Sequence, residues 1–193
     1  MPAPNFRRAG MTLVELLVAV AISSIVFTAV ASLMFYSSRS FVALANYTDL
    51  ENKSRNALDR MSQEIRQVNG VTGLGTATLS SGQVVTNRIV MSGTETNGTA
   101  YTLTYSYDPA QKTLTRTKLK SGVTTTDVLL VGCSYLNFGM YQRNSITNTF
   151  DQFDVLTSGT CKVVQINWIC SRSILGNSAN TESVESAKVV IRK

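Results

Sequence analysis

Glu15 is the first residue in this chain whose type and position demand chemistry. It follows a short basic leader, Arg7-Arg8-Ala9-Gly10, and opens a long apolar run. From Leu16 to Ser38 no residue is charged, 23 positions in a row. A helix of that length crosses a bilayer. An acidic side chain costs about 2.5–3.5 kcal/mol at the centre of such a span and less near its end. A carboxylate at the mouth of the span therefore calls for a cation or strong donors. An ordinary secretory signal has a shorter core, with its small-residue cleavage site behind it. Here Gly10 lies in front. A plain signal anchor explains the span, and Arg7 and Arg8 would hold the N-terminus in the cytoplasm by the positive-inside rule. It explains neither Gly10 nor Glu15.

Other chemistries find little footing. The chain has no histidine, the commonest general base and metal ligand. No Ser-His-Asp arrangement can be assembled. The glycines of residues 70–75 have no Gly-Lys-Ser after them and make no phosphate loop. Cys161 and Cys170 are nine residues apart, without the spacing of a metal knuckle. We expect no enzyme, no cofactor and no metal. The net charge is +6, and loss of the two leader arginines would reduce it to +4. The surplus is scattered over Arg55, Arg60, Arg66, Lys112, Arg116, Lys118 and Lys120 rather than gathered into a stripe, so no specific nucleic-acid site is evident. Three cysteines suit an oxidising compartment such as a periplasm.

Gly10 followed by Met-Thr-Leu-Val-Glu-Leu-Leu-Val-Ala-Val-Ala-Ile resembles the processing motif of the type IV pilin-like family, which includes pilins and type II secretion pseudopilins. The resemblance implies cleavage between Gly10 and Met11 by a prepilin peptidase and N-methylation of Met11. It implies that Glu15 serves subunit assembly. The physical reason is direct, because the freed ammonium of Met11 on a neighbouring subunit can neutralise the acid in apolar surroundings. The stretch Leu58-Asp59-Arg60-Met61-Ser62-Gln63-Glu64-Ile65-Arg66-Gln67 resembles PilW-like minor pilins and J-type minor pseudopilins. The implied partners are the peptidase, other major and minor pilin-like subunits, and an inner-membrane assembly platform. The implied location is a bacterial inner membrane, single-pass, with the C-terminal domain periplasmic, and then a pilus or pseudopilus. A type IV pilus tip or assembly-priming complex leads over a type II secretion system, since a cysteine pair and long polar loops suit an exposed tip. A signal-anchored periplasmic binding protein or adhesin is the alternative from another class.

These residues need elements to position them. We expect a leader over 1–10, a transmembrane and assembly helix over 11–38, and a periplasmic domain over 39–193. No proline interrupts residues 11–70. A continuous helix there would extend roughly 90 Å. Leu58, Met61, Ile65 and Val68 recur at helical spacing and define a face for packing on a sheet. Asn69-Gly70 reads as the helix stop. Residues 71–82 read as a loop or weak strand. Strands are expected near 83–91, 100–107, 112–119, 124–131, 133–142, 162–169 and 187–192. Tyr101, Leu103, Tyr105 and Tyr107 alternate with polar residues, and Asp108-Pro109 turns that strand into the next. A helix followed by an antiparallel meander is an α+β fold, and the family resemblance implies the same pilin-like arrangement. Residues 143–160 and 171–186 read as polar surface loops. Asp151 and Asp154 alone are too thin a basis for the calcium site that some pseudopilins carry.

The cysteines carry one geometric argument. If 162–169 is a strand, Cys161 and Cys170 stand roughly 30 Å apart, whereas a bridge needs Cα atoms within about 7 Å. The run 133–142 has matching length and can pair antiparallel with 161–170. That register sets Cys133 opposite Cys170, with Cys161 free or pairing between subunits.

Replacing Gly10 with valine should block processing. The precursor should accumulate in the membrane fraction at its full mass, and mature protein at wild-type level in mass spectra would refute the cleavage site.

Overall fold

The computed structural model describes residues 11–143, 146–148, 150–152, 159–172 and 182–192. The leader with Arg7, Arg8 and Gly10, and Asp154 within the first polar loop, lie outside the described residues. The chain divides into two compact units, Met1–Leu44 and Ala45–Lys193.

Among the described residues one helix, α1 (Leu13–Gln67), is followed by nine strands. Its first unit contains no glycine or proline after residue 10. Uncharged, mostly aliphatic side chains favour the helix there, and the hydroxyls satisfy themselves by back-bonding. Ser24 Oγ donates to the Ala21 carbonyl at 2.8 Å, Thr28 Oγ1 to Ser24 at 2.8 Å and Ser32 Oγ to Thr28 at 2.6 Å. Such bonds let polar side chains sit in an apolar medium at little cost.

In the second unit α1 buries Leu50, Ser54, Ala57, Met61 and Ile65, one stripe at spacings of three and four. The expected face is found in Met61 and Ile65. Leu58 is corrected to a flanking position: it is partly buried against the core, while Ala57 takes the central place.

Two sheets follow. The first has the order β1-β2-β3-β4-β5, with β1 Val68–Thr78, β2 Val84–Thr94, β3 Ala100–Asp108, β4 Thr113–Lys120 and β5 Val123–Val131. All its neighbours are antiparallel. The second has the order β7-β6-β8-β9, with β6 Cys133–Arg143, β7 Phe150–Gln152, β8 Val163–Ser171 and β9 Glu182–Val190. The fold is α+β, a long N-terminal helix followed by antiparallel sheets, as expected.

The hairpin at Asp108 is present. Asp108 Oδ1 accepts the Ala110 N–H at 2.9 Å, and Tyr107 faces Leu114 across the ladder. Leu103, Tyr105 and Tyr107 are buried on one face, as their alternation requires. The turn from β4 to β5 uses Ser121 and Gly122, both with positive φ (48° and 79°), which suits a two-residue hairpin.

Three expectations are corrected. The helix ends at Gln67, and Asn69-Gly70 is no left-handed cap: both residues continue as strand β1. Val68 and Val71 are drawn into the core, so the backbone joins a ladder with β2 instead of closing a cap. Of the two readings of residues 71–82, loop or weak strand, the strand is found over 71–78, its glycines among three register shifts. In the second sheet the last strand is Glu182–Val190 rather than 187–192. Its inward positions include Ser183, while Val184 and Val190 face out, so the first half of the strand lacks an apolar stripe that would mark it in the sequence. The polar stretch 143–160 also holds the short strand β7.

Both sheets and the helix share one core. Trp168 is fully buried, and its indole N–H donates to Ser54 Oγ at 3.0 Å. The Thr86 N–H donates to Asn137 Oδ1 at 2.8 Å, joining β2 of one sheet to β6 of the other. Cys133 and Cys170 stand opposite each other in the β6–β8 register and are joined by a disulfide. Cys161 is free and buried, and burial pushes its thiol up.

A polar tie fastens α1 to the first sheet. Arg116 on β4 is 6% exposed. It bonds Glu64 of the helix at 2.7 Å and Asp127 of β5 at 3.1 Å. Arg60 also reaches Asp127, at 2.6 Å, and the Tyr105 hydroxyl donates to Glu64. Burial alone would push the Glu64 carboxyl up. The bonds from Arg116 and Tyr105, with the charges of Arg116 and Arg60, outweigh it and hold the group below its usual range. Burial and the bond to Glu64 push the Tyr105 phenol up. A buried arginine without its carboxylates would be strongly destabilising.

Two outcomes are expected. Ile65→Ala should cost about 2–5 kcal/mol, read as a lowered melting temperature, while exposed Arg66→Ala should change it little; equal effects would refute the facing of α1. The Glu64 carboxyl, held below its ordinary value of 4.5, contributes stability that is fully present above that value. The contribution is lost as pH falls through the lower folded value. The melting temperature should therefore drop on acidification below about pH 4.5, and Glu64→Gln should lower it at neutral pH and flatten the acid slope. An unchanged slope would show that Glu64 does not couple to stability.

Candidate processing and assembly site

Met11 and Thr12 precede the first turn of α1 and are not helical. Thr12 then caps the helix. Its backbone N–H donates to Glu15 Oε2 at 2.9 Å, and its hydroxyl to the same oxygen at 3.0 Å. The Glu15 N–H returns a bond to Thr12 Oγ1 at 3.3 Å, and the Leu16 N–H reaches the Thr12 carbonyl at 3.2 Å. This is a capping box, in which residue and cap satisfy each other's donors. The Thr-x-x-Glu spacing is its sequence signature. Sequence reasoning took Glu15 for its charge and missed that second role, although the signal lay in Thr12 and Glu15 themselves.

The chemistry follows from this geometry. A peptidase needs an extended bond, and the residues just after Gly10 are outside the helix. Met11 is 68% exposed. Cleavage before it would create an α-amino group one residue from the cap. Both Thr12 donors converge on one oxygen of Glu15, and a carboxylate has acceptor sites for about four bonds. The acid can therefore keep its cap and still receive an ammonium.

Behind this site the surface is apolar. Leu13, Leu17, Phe27, Leu33 and Phe35 are all exposed. The N-terminal part of α1 is long and apolar enough to cross a membrane. A continuous apolar surface of that kind calls for lipid or other apolar helices around it.

The remaining expected positions fall as follows. Asp151 lies on β7, and its partner Asp154 lies outside the described residues. No group of three or more His, Cys, Asp or Glu that could hold a metal gathers among the described residues. The shallow clefts of the second unit gather around Tyr101, Lys118 and Glu95. There Glu95 already pairs with Lys118 at 3.1 Å and Lys120 at 2.5 Å. The ring of Tyr101 passes over Gly93, where a side-chain carbon would come within 2.2 Å of it, and Lys118 Nζ lies 4.3 Å from the ring centre.

Residues 5–31 match the family model described as the prokaryotic N-terminal methylation motif. The match begins within the basic leader and runs through Gly10, Met11 and the capping box into the apolar helix. It supports the type IV pilin-like family for this chain and processing by a prepilin peptidase. No curated protein matches the chain.

Proposed function

We propose that this chain is a minor pilin that enters the inner membrane through α1, is cleaved between Gly10 and Met11 and methylated on Met11. It then joins a type IV pilus at the tip or in an assembly-priming complex. The observation that carries the reading is the methylation motif over residues 5–31, with Met11 just ahead of an exposed apolar helix and Glu15 in its first turn. The protein acts as a subunit and not as an enzyme. Its partners are the prepilin peptidase, other pilin-like subunits and the inner-membrane assembly platform, and the second unit lies on the periplasmic side.

The charge step is a local exchange. In the membrane the Glu15 carboxylate is held by Thr12. When a neighbour's Met11 ammonium arrives, the pair forms in low dielectric, where a charge–charge contact is far stronger than in water. Register along the filament follows from the fixed distance between Met11 and Glu15 on every subunit. The stretch from Leu58 to Gln67 also supports a second reading, a J-type minor pseudopilin of a type II secretion system. The same N-terminal chemistry serves both.

The mature N-terminus tests the reading. Purified protein should lack its first ten residues and carry an N-methylated Met11, whereas an intact leader would favour a simple signal anchor. Charge and cap can then be separated. Glu15→Gln preserves a capping side chain but removes the charge, so both it and Glu15→Ala should insert normally and lose co-purification with other pilin-like subunits. Wild-type recruitment of Glu15→Gln would show that the cap, not the charge, is what assembly needs.

A further inference from the structure

The chain has three cysteines, and its bridge joins the two that are furthest apart. Cys133 and Cys170 are 37 positions apart, and Cys161 lies between them. Cys161 is nine positions from Cys170 and 28 from Cys133. All three sulfurs lie deep in the fold: Cys133 and Cys170 are fully buried and Cys161 is 3% exposed.

Burial sets an order of events. A disulfide forms when a thiolate attacks a disulfide of an oxidising protein, through a mixed disulfide that needs the sulfur within reach. Neither Cys133 nor Cys170 offers that reach once folded. The bridge is therefore laid down while the second sheet is still open. On an open chain the chance that two thiols meet falls with about the three-halves power of the loop between them. Loops of nine, 28 and 37 positions then leave the native pair roughly a tenth of the first bridges. Export from the N-terminus leads to the same place, since Cys133 and Cys161 both emerge before Cys170. By either route the first bridge takes in Cys161.

Neither wrong bridge fits the fold. Extended β8 holds Cys161 and Cys170 roughly 30 Å apart. Cys133 stands opposite Cys170, at the end of the β6–β8 ladder remote from Cys161. The first bridge has to be exchanged before β8 can pair with β6 and carry Trp168 into the core.

We propose that this chain is a substrate of a protein thiol–disulfide isomerase, which transfers a first bridge containing Cys161 to the native pair Cys133–Cys170. An oxidising protein disulfide accepts the two electrons of the first bridge and becomes a dithiol. From Cys161–Cys170, the isomerase thiolate attacks the Cys170 sulfur, and Cys161 leaves as a thiolate and takes up a proton. The Cys133 thiolate then attacks the same Cys170 sulfur, and the isomerase thiolate leaves. From Cys133–Cys161, Cys133 and Cys170 exchange roles. One chain disulfide is present before and one after, and the isomerase is regenerated. Without a catalyst such a rearrangement takes minutes to hours. The end state is held, because Cys161 finishes buried with its Sγ 3.4 Å from the Val163 carbonyl. Burial pushes that thiol up, which leaves little thiolate to reopen the bridge.

This step rests on the subunit reading, which places the second unit in the periplasm. The full-length chain is followed in exporting cells with and without the isomerase. Pulse-labelled chains are quenched with acid, free thiols are alkylated, and bridges are mapped in unreduced digests. A bridge containing Cys161 should dominate at the earliest times and give way to Cys133–Cys170. Without the isomerase, the early yield of Cys133–Cys170 should fall about tenfold, to the share that closes the native pair at once. Cys161→Ser removes both wrong bridges, so its yield should no longer depend on the isomerase. Cys161→Ala is the companion where a buried hydroxyl impairs folding. An isomerase stripped of its second active-site cysteine should be trapped as a mixed disulfide on the wild type and not on Cys161→Ser. A first bridge that is already Cys133–Cys170 overturns the proposal, as does a wild-type yield that the isomerase leaves unchanged. Cys161 variants as dependent on the isomerase as the wild type overturn it too. Where neither variant folds, the first bridge of the wild type and its response to the isomerase decide. The N-terminus of the same chains separates the two readings. An intact leader with exchange through Cys161 counts against the subunit reading alone. A chain processed at Met11 whose first bridge is native sinks the isomerase step alone, and three persistent thiols sink both.

Discussion

A single helix has to satisfy two different surroundings, and most of the architecture follows from that constraint. Over Leu13 to Leu44 nearly every apolar side chain of α1 is exposed. Over Leu50 to Ile65 one narrow stripe is buried and the rest is polar. The first surface is stable in lipid or among like helices. The second is stable in water, and only because strands cover the stripe. The change of character falls within a few residues, so the sheets must begin close behind the helix. They do: Val68 leaves the helix and enters the ladder with no loop between.

The attachment of helix to sheet is partly apolar and partly ionic. Met61 and Ile65 supply the burial, and Arg116 with Glu64 and Asp127 supplies direction. Apolar packing tolerates sliding by a turn more readily than a buried arginine does, since a shifted helix would take Glu64 away from Arg116 while Asp127, its ladder partner on β5, stayed with the sheet. The ionic tie therefore fixes which turn of α1 meets which strand. The disulfide between Cys133 and Cys170 plays the matching role in the second sheet, where it pins β6 against β8.

Legibility in the sequence followed the strength of the periodic signal. The alternation of Tyr101 to Tyr107 and the turn at Asp108 placed β3 and β4 to within a residue or two. The spacing of Met61 and Ile65 placed the buried face of α1. What failed were segments whose inward residues are small or polar. Strand β9 buries Ser183 and exposes Val184, so no apolar alternation marks its first half. Strand β1 carries the glycines of a loop yet pairs throughout, because Val68 and Val71 are wanted in the core. At the N-terminus, Gly10, Met11 and Glu15 stood out by their position alone. The bond from Thr12 to Glu15 was equally legible and was overlooked, because the charge drew attention from the cap. The network around Arg116 joins residues 52 positions apart in the chain, and no local pattern announces such a pairing.

Trp168 is the one tryptophan in the chain. Its ring lies in the common core, and its indole N–H is held by Ser54 on the helix. The molecule therefore contains its own optical reporter at the junction of helix and sheet. An indole moved from that dry, hydrogen-bonded setting into water emits at longer wavelength. The colour of its fluorescence will register whether α1 is seated on the strands, in a membrane, in detergent or within an assembled fibre, without any label being attached.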